Sequence, residues 1–320
     1  MQIAFVIPAA EGPGSSYARR MVEALTGLGH SGRVLPTADA TATLAALPGD
    51  CAALVDGMLV PGLLADRPWS ALVHHLAASA LPGEDAAPVR AAEAMALVRA
   101  ERVVATSTPV AARLQAECGL DPARVAVVTP GHDDAPRSAG TDAGILAVGA
   151  LAPRKGHDLL LRAVARLRDL APHLTIAGAG RDPAHAAALS AQIDAAGLAG
   201  QVRLVADPDD ATLEGLWRQA GIFALATRWE GYPVAVLQAL RRGLPVVTTV
   251  AAGPLPAEAA AVCPVDDEAN IGKALRRLLF DGGLRAAMGE AAWTYGRTLP
   301  DWATQARALV ALHQDFSSQH

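Results

Sequence analysis

The sequence predicts an α/β protein made of two domains, each built on a doubly wound parallel sheet. Short apolar runs alternate with helical segments along the chain, which is typical of repeated strand–helix–strand units. This alternation is interrupted at residues 135–144 by a stretch of Pro, Ser, Gly, Thr and Asp, and then begins again. At 320 residues, the chain has room for about two domains of ordinary size.

In the first half, short apolar runs predict the strands and longer segments between turn residues predict the helices. The predicted strands span 3–7, 32–35, 52–56, 70–73, 103–106 and 125–128, and the helices span 17–28, 86–100 and 108–118. A Gly- and Ser-containing loop at residues 11–16 opens the first helix. We expect Ser15 or Ser16 to be its N-cap, because a hydroxyl oxygen can accept from an N–H of the first turn.

The second half repeats the pattern after the linker. The predicted strands span 144–148, 174–177, 202–205, 222–226, 244–250 and 261–264, and the helices span 157–170, 183–196, 211–220, 233–242, 268–280, 284–295 and 301–314. Pro233 is placed at the first helical position, where its missing N–H costs nothing. We expect a first domain at residues 1–138 and a second at 139–299.

Composition and charge exclude several classes of function. The net charge of −5 predicts no strong attraction to nucleic acid. The N-terminus lacks the basic start of a signal peptide, and no uninterrupted apolar run reaches the roughly 18 residues that span a bilayer. The three cysteines are widely spaced, which indicates reduced thiols and neither a disulfide framework nor a zinc site. We therefore expect a cytoplasmic protein without stable membrane insertion, and its oligomeric state is left open.

Residues 226–249 combine a buried strand, a turn and a helix start. The turn places Glu230 and Gly231 just ahead of Pro233. A helix N-terminus presents unpaired N–H groups and a partial positive charge, which suit a phosphate. The alternative is an ordinary strand–helix–strand crossover with a surface glutamate.

A second candidate site is the Arg154-Lys155 pair, in a Pro- and Gly-containing loop after a predicted strand. Of the 27 basic side chains, only Lys155 and Lys273 are lysines, so lysine is rare here. Arginine can bind a phosphate through two parallel hydrogen bonds and lysine supplies a compact charge, so the pair suits a diphosphate. The alternative is a solvated pair in a surface loop.

Glycine-rich turns follow two predicted strands, with Gly12 and Gly14 in one and Gly178 opening residues 178–181 in the other. Such a loop can let a diphosphate approach the backbone, although no G-x-G-x-x-G fingerprint is present. A tight turn between strand and helix explains the glycines equally well.

His74 and His75 follow the predicted strand at 70–73. Open α/β sheets bind ligands outside the carboxyl ends of their strands. Because adjacent strand residues face opposite ways, we expect at most one of the two to point into a cleft. The alternative is a satisfied polar strand end. No third ligand at metal-like spacing accompanies them, and the Asp pairs at 133–134, 209–210 and 266–267 lack Asp-x-Asp spacing, so we predict no metal site.

Two segments together resemble family 4 glycosyltransferases of the GT-B fold. Residues 148–156, Val-Gly-Ala-Leu-Ala-Pro-Arg-Lys-Gly, are similar to the family's diphosphate-binding segment. Residues 230–238, which start at Glu230-Gly231-Tyr232-Pro233 and end at Gln238, are similar to its Glu-x7-Glu element. Gly14, His74 and residues 129–133 match weaker family positions.

The resemblance implies two Rossmann-like domains that face a central cleft. The first would bind the acceptor, the second would bind the nucleotide sugar, and a C-terminal helix at about 300–320 would pack back on the first. It further implies a retaining transfer from a nucleotide-diphosphate sugar, a UDP-sugar being the first choice, to a hydroxyl-type acceptor. No metal and no other cofactor would be required.

The resemblance also implies the site residues. Those in catalytic roles are Arg154, Lys155, Glu230 and His74, and those in donor binding are Gly12, Gly14, Gly178, Gly231, Tyr232, Pro233, Val234 and Gln238. Arg154 and Lys155 would neutralise the diphosphate, Glu230 would contact the sugar, and His74, with His75 as the alternative, would lie near it.

Two residues depart from the family pattern. Gln238 replaces a glutamate that holds the ribose hydroxyls, and an amide lacks charge-assisted strength. Pro233 removes one N–H from the helix start. The first half lacks a basic amphipathic surface, so we expect a soluble acceptor. The alternative functions are a non-catalytic nucleotide-sugar or glycan-binding relative, a nucleotide-sugar epimerase and, with less support, a dinucleotide oxidoreductase.

Overall fold

The computed structural model describes residues 1–10, 12–76, 78, 86–140, 143–180, 182–249 and 255–317. The chain divides into two compact units. Unit 1 contains Met1–Asp133 and the C-terminal segment that starts at Pro300, and unit 2 contains Asp134–Leu299. Residues 134–138, which lie within the predicted first domain, belong to unit 2. There, the Ser138 N–H donates to the carbonyl of Arg242 at 2.8 Å.

In the described part of the chain, strands and helices alternate. The strands are β1 (Gln2–Pro8), β2 (Ser31–Thr37), β3 (Cys51–Asp56), β4 (Ser70–Val73), β5 (Arg102–Ala105), β6 (Val125–Val127), β7 (Ile145–Val148), β8 (Leu174–Gly178), β9 (Val202–Ala206), β10 (Ile222–Leu225), β11 (Val246–Thr248) and β12 (Ala260–Val262).

The helices cover the faces of the two sheets. They are α1 (Pro13–Gly27), α2 (Ala40–Ala45), α3 (Ala86–Leu97), α4 (Thr108–Cys118), α5 (His157–Ala165), α6 (Pro183–Ala195), α7 (Asp210–Gln219), α8 (Val234–Arg241), α9 (Glu268–Phe280), α10 (Gly282–Gly296) and α11 (Trp302–Ser317).

Unit 1 is built on a parallel sheet whose six described strands follow the order β2-β1-β3-β4-β5-β6. The central strand β1 pairs with β2 on one side and β3 on the other, so Phe5 lies between Val34 and Leu54. The strand order reverses between β1 and β3. Ligands bind at such a switch point in open α/β sheets, outside the carboxyl ends of the strands.

Apolar side chains bury both faces of this sheet. On one face, Phe5 packs in a cluster with Met21 of α1 and Leu309 of α11. On the other face, Val55 packs in a cluster with Leu114 of α4. A parallel sheet with both faces covered needs apolar residues on both sides, which is why its strands read as continuous apolar runs.

Unit 2 is built on a second parallel sheet, whose six described strands follow the order β12-β11-β10-β7-β8-β9. The strand order reverses between β7 and β10, which pair at Ile145 and Ile222. Apolar clusters cover both faces, and in one of them the rings of Trp217 and Phe223 stack with centroids 5.4 Å apart. The predicted α/β class and the two doubly wound parallel sheets are confirmed.

The first helix starts earlier than predicted, and its N-cap is different. Helix α1 begins at Pro13 with Gly12 as N-cap, so the predictions of Ser15 or Ser16 as N-cap were wrong. Proline at the first position favours this start because its fixed φ suits a helix. The Ser15 hydroxyl instead lies inside the first turn, where it accepts the Gly12 N–H at 3.3 Å.

Three other elements differ from prediction. Pro233 is the N-cap of α8 with φ −85° and ψ 62°, outside the helix that it was predicted to begin. The helix predicted at 157–170 ends at Ala165, and a 3₁₀ turn at Arg168–Leu170 follows it. The short α2, capped by Asp39, was not predicted. The predictions at Glu11, Arg181, Val250 and residues 141–142 lie outside the described residues.

Candidate active site

The loop that carries Arg154 and Lys155 lies at the switch point of unit 2. Residues Pro153–Lys155 form one 3₁₀ turn between β7 and α5. Gly156 ends the turn with φ +65°, and an added Cβ there would collide with the carbonyl oxygen of Ala226. Glycine is therefore required for the loop to lie against the segment that follows β10.

Lys155 and Glu230 form a buried ion pair at this edge of the sheet. The Lys155 ammonium contacts Glu230 Oε1, and the exposed fractions of the two side chains are 12% and 6%. Arg154 Nη1 lies 3.5 Å from Glu230 Oε2, and its side chain stays 43% exposed. Burial lowers the pKa of Lys155, while the charge of Glu230 opposes that effect. The structure thus brings together three of the residues predicted from sequence, two cations around one carboxylate.

Arg228 holds this arrangement in place, and it was not among the residues predicted from the sequence. Its guanidinium donates to both carboxylate oxygens of Asp158, at 2.9 and 2.8 Å, and to the carbonyl of Pro153 at 2.7 Å. It also donates to Asp266 at 2.8 Å. Burial raises the pKa of Asp158, but hydrogen bonds and charge from Arg228 outweigh it and lower that pKa to about 2. The Arg228 side chain therefore links the Arg154 loop to the turn that presents Glu230.

The start of α8 faces the same edge. The Val234 N–H donates to the carbonyl of Tyr232 at 2.9 Å, so the open N–H groups of the first turn are those that follow it. Gln238 lies one turn further along, half-buried, with no hydrogen-bond partner among the described residues. Its amide can both donate and accept. The predicted group Gly231, Tyr232, Pro233, Val234 and Gln238 thus lies on one turn and one short helix.

Gly178 lies beside this loop at the end of β8. An added Cβ would collide with the carbonyl oxygen of Gly149, so a side chain is excluded there. Further along the turn, the Gly180 N–H donates to Asp207 Oδ1 at 3.1 Å. The missing side chain of Gly178 lets β7 and β8 end in close contact beside Lys155.

The predicted residues of unit 1 meet in a pocket of about 50 Å³ at the switch point of its own sheet. Gly12, Gly14 and His74 line it together with Asp56, the last residue of β3. An added Cβ at Gly14 would collide with Asp56 Oδ2. Sequence analysis missed Asp56, although the signal was available: a carboxylate at the end of a predicted strand, next to the strand that ends before His74.

Asp56 and His74 are buried, and no Lys or Arg of the described residues forms an ion pair with Asp56. Asp56 Oδ2 lies 3.9 Å from His74 Nε2, and the exposed fractions of the two side chains are 6% and 11%. Burial raises the pKa of Asp56 to about 6, although a hydrogen bond from the Met58 N–H lowers it. Burial lowers the pKa of His74 to about 3, and the neighbouring His75 lowers it further. Both side chains are therefore shifted toward their neutral forms.

His74 and His75 both line the pocket, and the expectation that at most one of them points into a cleft stays a prediction. Strand β4 ends at Val73, and the histidines lie in a bend. The alternation of side chains holds only within a strand.

Residues 129–133, a weaker match to the family, do not line the pocket. The His132 N–H donates to the carbonyl of Pro300 at 3.0 Å, and Gly131 packs against Trp302 so closely that an added Cβ would collide with its backbone. Asp133 pairs with Arg20 of α1. This segment therefore joins α11 to the rest of unit 1.

The aspartate pairs have structural partners. Asp209 caps α7 through the Thr212 N–H at 2.8 Å, and Asp267 caps α9 through the Asn270 N–H at 2.9 Å. Asp134 pairs with Arg241 at 2.9 Å. In the described ranges, no group of three or more His, Cys, Asp or Glu side chains is arranged to hold a metal ion.

A separate cavity of about 990 Å³ lies at the opposite edge of the unit 2 sheet. Its lining includes Ile145 and His173, at the amino ends of β7 and β8, and Phe280 of α9. No residue predicted to belong to the site lines it. Its size therefore does not mark the place where the candidate chemistry lies.

Comparison with known proteins decides the family. The family model "Glycosyl transferases group 1" matches residues 131–294, about half of the chain. The chain belongs to this glycosyltransferase family. The matched segment of this group 1 family member includes Arg154, Lys155, Glu230 and Gln238, and it does not include Asp56 or His74.

This chain is similar to a D-inositol 3-phosphate glycosyltransferase from Salinispora arenicola. The two are 32% identical over 275 residues, which cover 72% of this chain and 61% of that protein. A second protein of that name, from Salinispora tropica, is 29% identical, and the match covers 62% of its length. The chain thus spans about three fifths of the length of these curated relatives.

Solved structures of low sequence identity share the fold. A sucrose-phosphate synthase from Thermosynechococcus elongatus superposes with a TM-score of 0.82 at 17% identity, over 100% of both chains. HepE of Anabaena, solved in complex with UDP-glucose, superposes with a TM-score of 0.79 at 14% identity, over 98% of this chain and 100% of that chain. The predicted GT-B fold of this group 1 family member is confirmed. None of its described helices is long and apolar enough to cross a membrane.

Proposed function

We propose that the chain is a retaining, family 4 glycosyltransferase that moves a sugar from a nucleotide-diphosphate sugar to a hydroxyl-type acceptor without a metal. A UDP-sugar is the first donor to test. The observation that carries this function is the buried Lys155–Glu230 pair, with Arg154 beside it, at the carboxyl ends of β7 and β10. Membership of the group 1 family and the names of the relatives support it.

In the proposed reaction, the acceptor oxygen bonds to the anomeric carbon of the donor sugar and the bond from that carbon to the diphosphate oxygen breaks. The products are the glycoside, the nucleoside diphosphate and the acceptor's proton. Negative charge builds on the leaving diphosphate, and cations that are already in place stabilise it without reorganisation. Lys155 meets this requirement because Glu230 and burial hold its ammonium in one position.

The remaining predicted residues receive roles in donor and acceptor binding. The exposed Arg154 guanidinium can add paired hydrogen bonds to a phosphate. Glu230 would contact the donor sugar, Gln238 the ribose, and His74 the sugar from unit 1. In this proposal, unit 1 binds the acceptor and unit 2 binds the nucleotide sugar. The proposed acceptor is soluble. The proposed location is the cytoplasm, which the three buried, free cysteines support.

A thermal-shift screen of the full chain against UDP-, GDP-, ADP- and TDP-sugars tests donor binding, because a ligand of the native state raises Tm. Transfer with the stabilising donor is then followed by NMR of the product's anomeric proton, with and without EDTA. Retained configuration and equal rates with EDTA are expected. Inverted configuration would contradict the retaining mechanism, and a rate that falls with EDTA would contradict the metal-free reaction. If no donor raises Tm, the proposed binding of a nucleotide sugar is contradicted.

A non-catalytic nucleotide-sugar-binding relative is the second candidate, and Gln238 is the observation that favours it. The amide stands where the resemblance places a glutamate, so one charge-assisted contact to the donor is missing. Calorimetry that shows donor binding, combined with neither transfer nor donor hydrolysis over long incubation, would decide for this alternative.

A further inference from the structure

The pocket of unit 1 contains a carboxyl group that the proposed function leaves unused. Asp56 Oδ1 accepts the Met58 N–H at 2.9 Å and caps the 3₁₀ turn Gly57–Leu59. Its other oxygen, Oδ2, faces Gly14 and the pocket, and no Lys or Arg of the described residues pairs with it. A cap needs one carboxylate oxygen, so the cap alone does not account for a buried second oxygen at a switch point.

His74 presents an unused polar atom to the same space. Its Nε2 is buried and has no hydrogen-bond partner within the described ranges. The imidazole ring meets the ring of Tyr17 edge-on, with centroids 5.2 Å apart and an interplanar angle of 72°. Tyr17 is in turn held by Trp302 of α11, with ring centroids 5.7 Å apart. Packing therefore sets the orientation of His74 and leaves its buried Nε2 without a hydrogen-bond partner among the described residues.

The distance between the two atoms fits one bridging hydroxyl. Atoms 3.9 Å apart can both reach a single oxygen at hydrogen-bond distances of about 2.8 Å. A hydroxyl donates to a carboxylate oxygen and at the same time accepts from an imidazole N–H. The missing side chain at Gly14 keeps this space open, and the pocket of about 50 Å³ admits a group of that size.

We propose that Asp56 is a specificity-determining residue whose Oδ2 accepts a hydrogen bond from one hydroxyl of the transferred sugar, the same hydroxyl that His74 Nε2 contacts. This inference rests on the proposed function. Burial raises the pKa of Asp56 only to about 6, so at pH 7 the carboxylate is the major form and can accept. Binding of the hydroxyl supplies the hydrogen bond that the buried pair lacks, which is the physical reason for the specificity.

Asp121 offers a matched control because it caps a 3₁₀ turn in the same unit with the same geometry. Its Oδ1 accepts the Ala123 N–H at 2.9 Å, and the residue is exposed outside the pocket. Asp121→Asn and Asp121→Ala therefore repeat the change of cap without touching the pocket. Asp56→Asn keeps an oxygen for the cap, while Asp56→Ala removes both oxygens, so the two variants separate the cap from the pocket.

The experiment measures Kd by calorimetry for UDP-glucose and its 2-, 3-, 4- and 6-deoxy analogues on the full-length variants. If the thermal-shift screen selects another nucleotide sugar, its deoxy series replaces them. We expect the Asp56 variants to bind the parent sugar about 10- to 100-fold more weakly, the range of a hydrogen bond to a charged group. One deoxy analogue should bind the wild type more weakly than the parent sugar does, by a similar factor. For that analogue, substitution of Asp56 should lower the affinity by less than about threefold further.

The outcomes separate this inference from the function on which it rests. Two results would overturn the role of Asp56 but not the proposed function, provided that the wild type binds the donor. In the first, the Asp56 variants bind the donor as tightly as the wild type. In the second, substitution of Asp56 lowers the affinity for every deoxy analogue by the same factor. If the Asp121 variants lose as much affinity as the Asp56 variants, the effect comes from the caps and the inference is wrong. If the wild type binds no nucleotide sugar, the proposed function fails as well. Far- and near-UV circular dichroism of each variant establishes that it is folded before affinities are compared.

Discussion

Each unit places a pair of ionisable side chains near the switch point of its sheet, but the surroundings act on the two pairs in different ways. In unit 2, Lys155 and Glu230 are in contact, and each compensates the charge of the other. In unit 1, Asp56 and His74 lie 3.9 Å apart, and burial shifts both toward their neutral forms. The carboxyl edges of the two sheets thus carry different electrostatic arrangements.

The surroundings explain the difference. The unit 2 pair lies beside Arg154 and the Arg228–Asp158 ion pair, so charge surrounds it. The unit 1 pair lies against the ring of Tyr17, which supplies no compensating charge. A site with fixed cations suits an anion such as a diphosphate, whereas a buried carboxylate beside a neutral imidazole suits a hydroxyl. The comparison therefore supports different ligand groups at the two switch points.

The largest effect is expected from removing the cation of unit 2. Lys155→Met should lower the rate of sugar transfer by about 10³-fold, because one preorganised group that stabilises the leaving charge is lost. Steady-state kinetics with the donor found by the thermal-shift screen measures it. Lys273→Met is the control, since Lys273 is the other lysine and lies exposed on α9. Equal rates for the two variants would remove Lys155 from the mechanism.

The next prediction separates stability from activity within the same pair. Glu230→Leu should lower the free energy of unfolding by about 3 kcal/mol, because it leaves the buried ammonium of Lys155 without a partner. Adding Lys155→Met should recover most of that loss without restoring transfer. Urea unfolding of the wild type, both single variants and the double variant gives the coupling energy. Additive losses would mean that the two charges do not compensate each other.

A pH series tests whether burial shifts the unit 1 pair. The pKa of Asp56 is raised to about 6, above the value of about 3.9 in an unfolded chain, so its protonated form favours the folded state. Its contribution is present below about pH 4 and is lost as the pH rises through 6. Relative to the wild type, Asp56→Asn should therefore gain about 2–3 kcal/mol of unfolding free energy between pH 4 and pH 7.

Urea unfolding at pH 4, 5, 6 and 7 measures this difference, with Asp121→Asn as the control for the exchange of side chain. Taking differences between variants is necessary because His74 and His157 act in the opposite direction. Burial lowers their pKa values to about 3 and about 4, so both destabilise the folded state as the pH falls below 6.5. A difference between Asp56→Asn and the wild type that stays constant with pH would show that the carboxyl is not shifted.

The smallest effect is expected at Gln238. Gln238→Glu should tighten binding of the nucleoside diphosphate by about three- to tenfold, because a charge-assisted hydrogen bond to a ribose hydroxyl is stronger than one from an amide. Calorimetry with the free nucleoside diphosphate measures the change. The control is Gln192→Glu, on α6, whose side chain donates to the carbonyl of Asp158. An unchanged affinity for Gln238→Glu would contradict the ribose role.

Much of the candidate site was predictable because its signals are local. Arg154 and Lys155 stand out as a rare lysine beside an arginine in a loop after a strand, and Glu230 stands out in a turn before a helix. Asp56 and Arg228 were missed because each looks ordinary in its own segment. The Asp56 carboxyl gains significance only from Gly14 and His74, and Arg228 only from Asp158, 70 positions away in the chain.

The sequence by itself determined the fold class, the alternation of strands and helices and the order of the two sheets along the chain. Apolar periodicity and Gly/Pro turns act over a few residues, so they can be read without tertiary contacts. Only the tertiary structure decided which strands are neighbours in each sheet, and therefore that Lys155 meets Glu230 and Asp56 meets His74. Burial and partner choice depend on neighbours brought together by strand order. The charge state of each pair therefore became readable only once the sheets were formed.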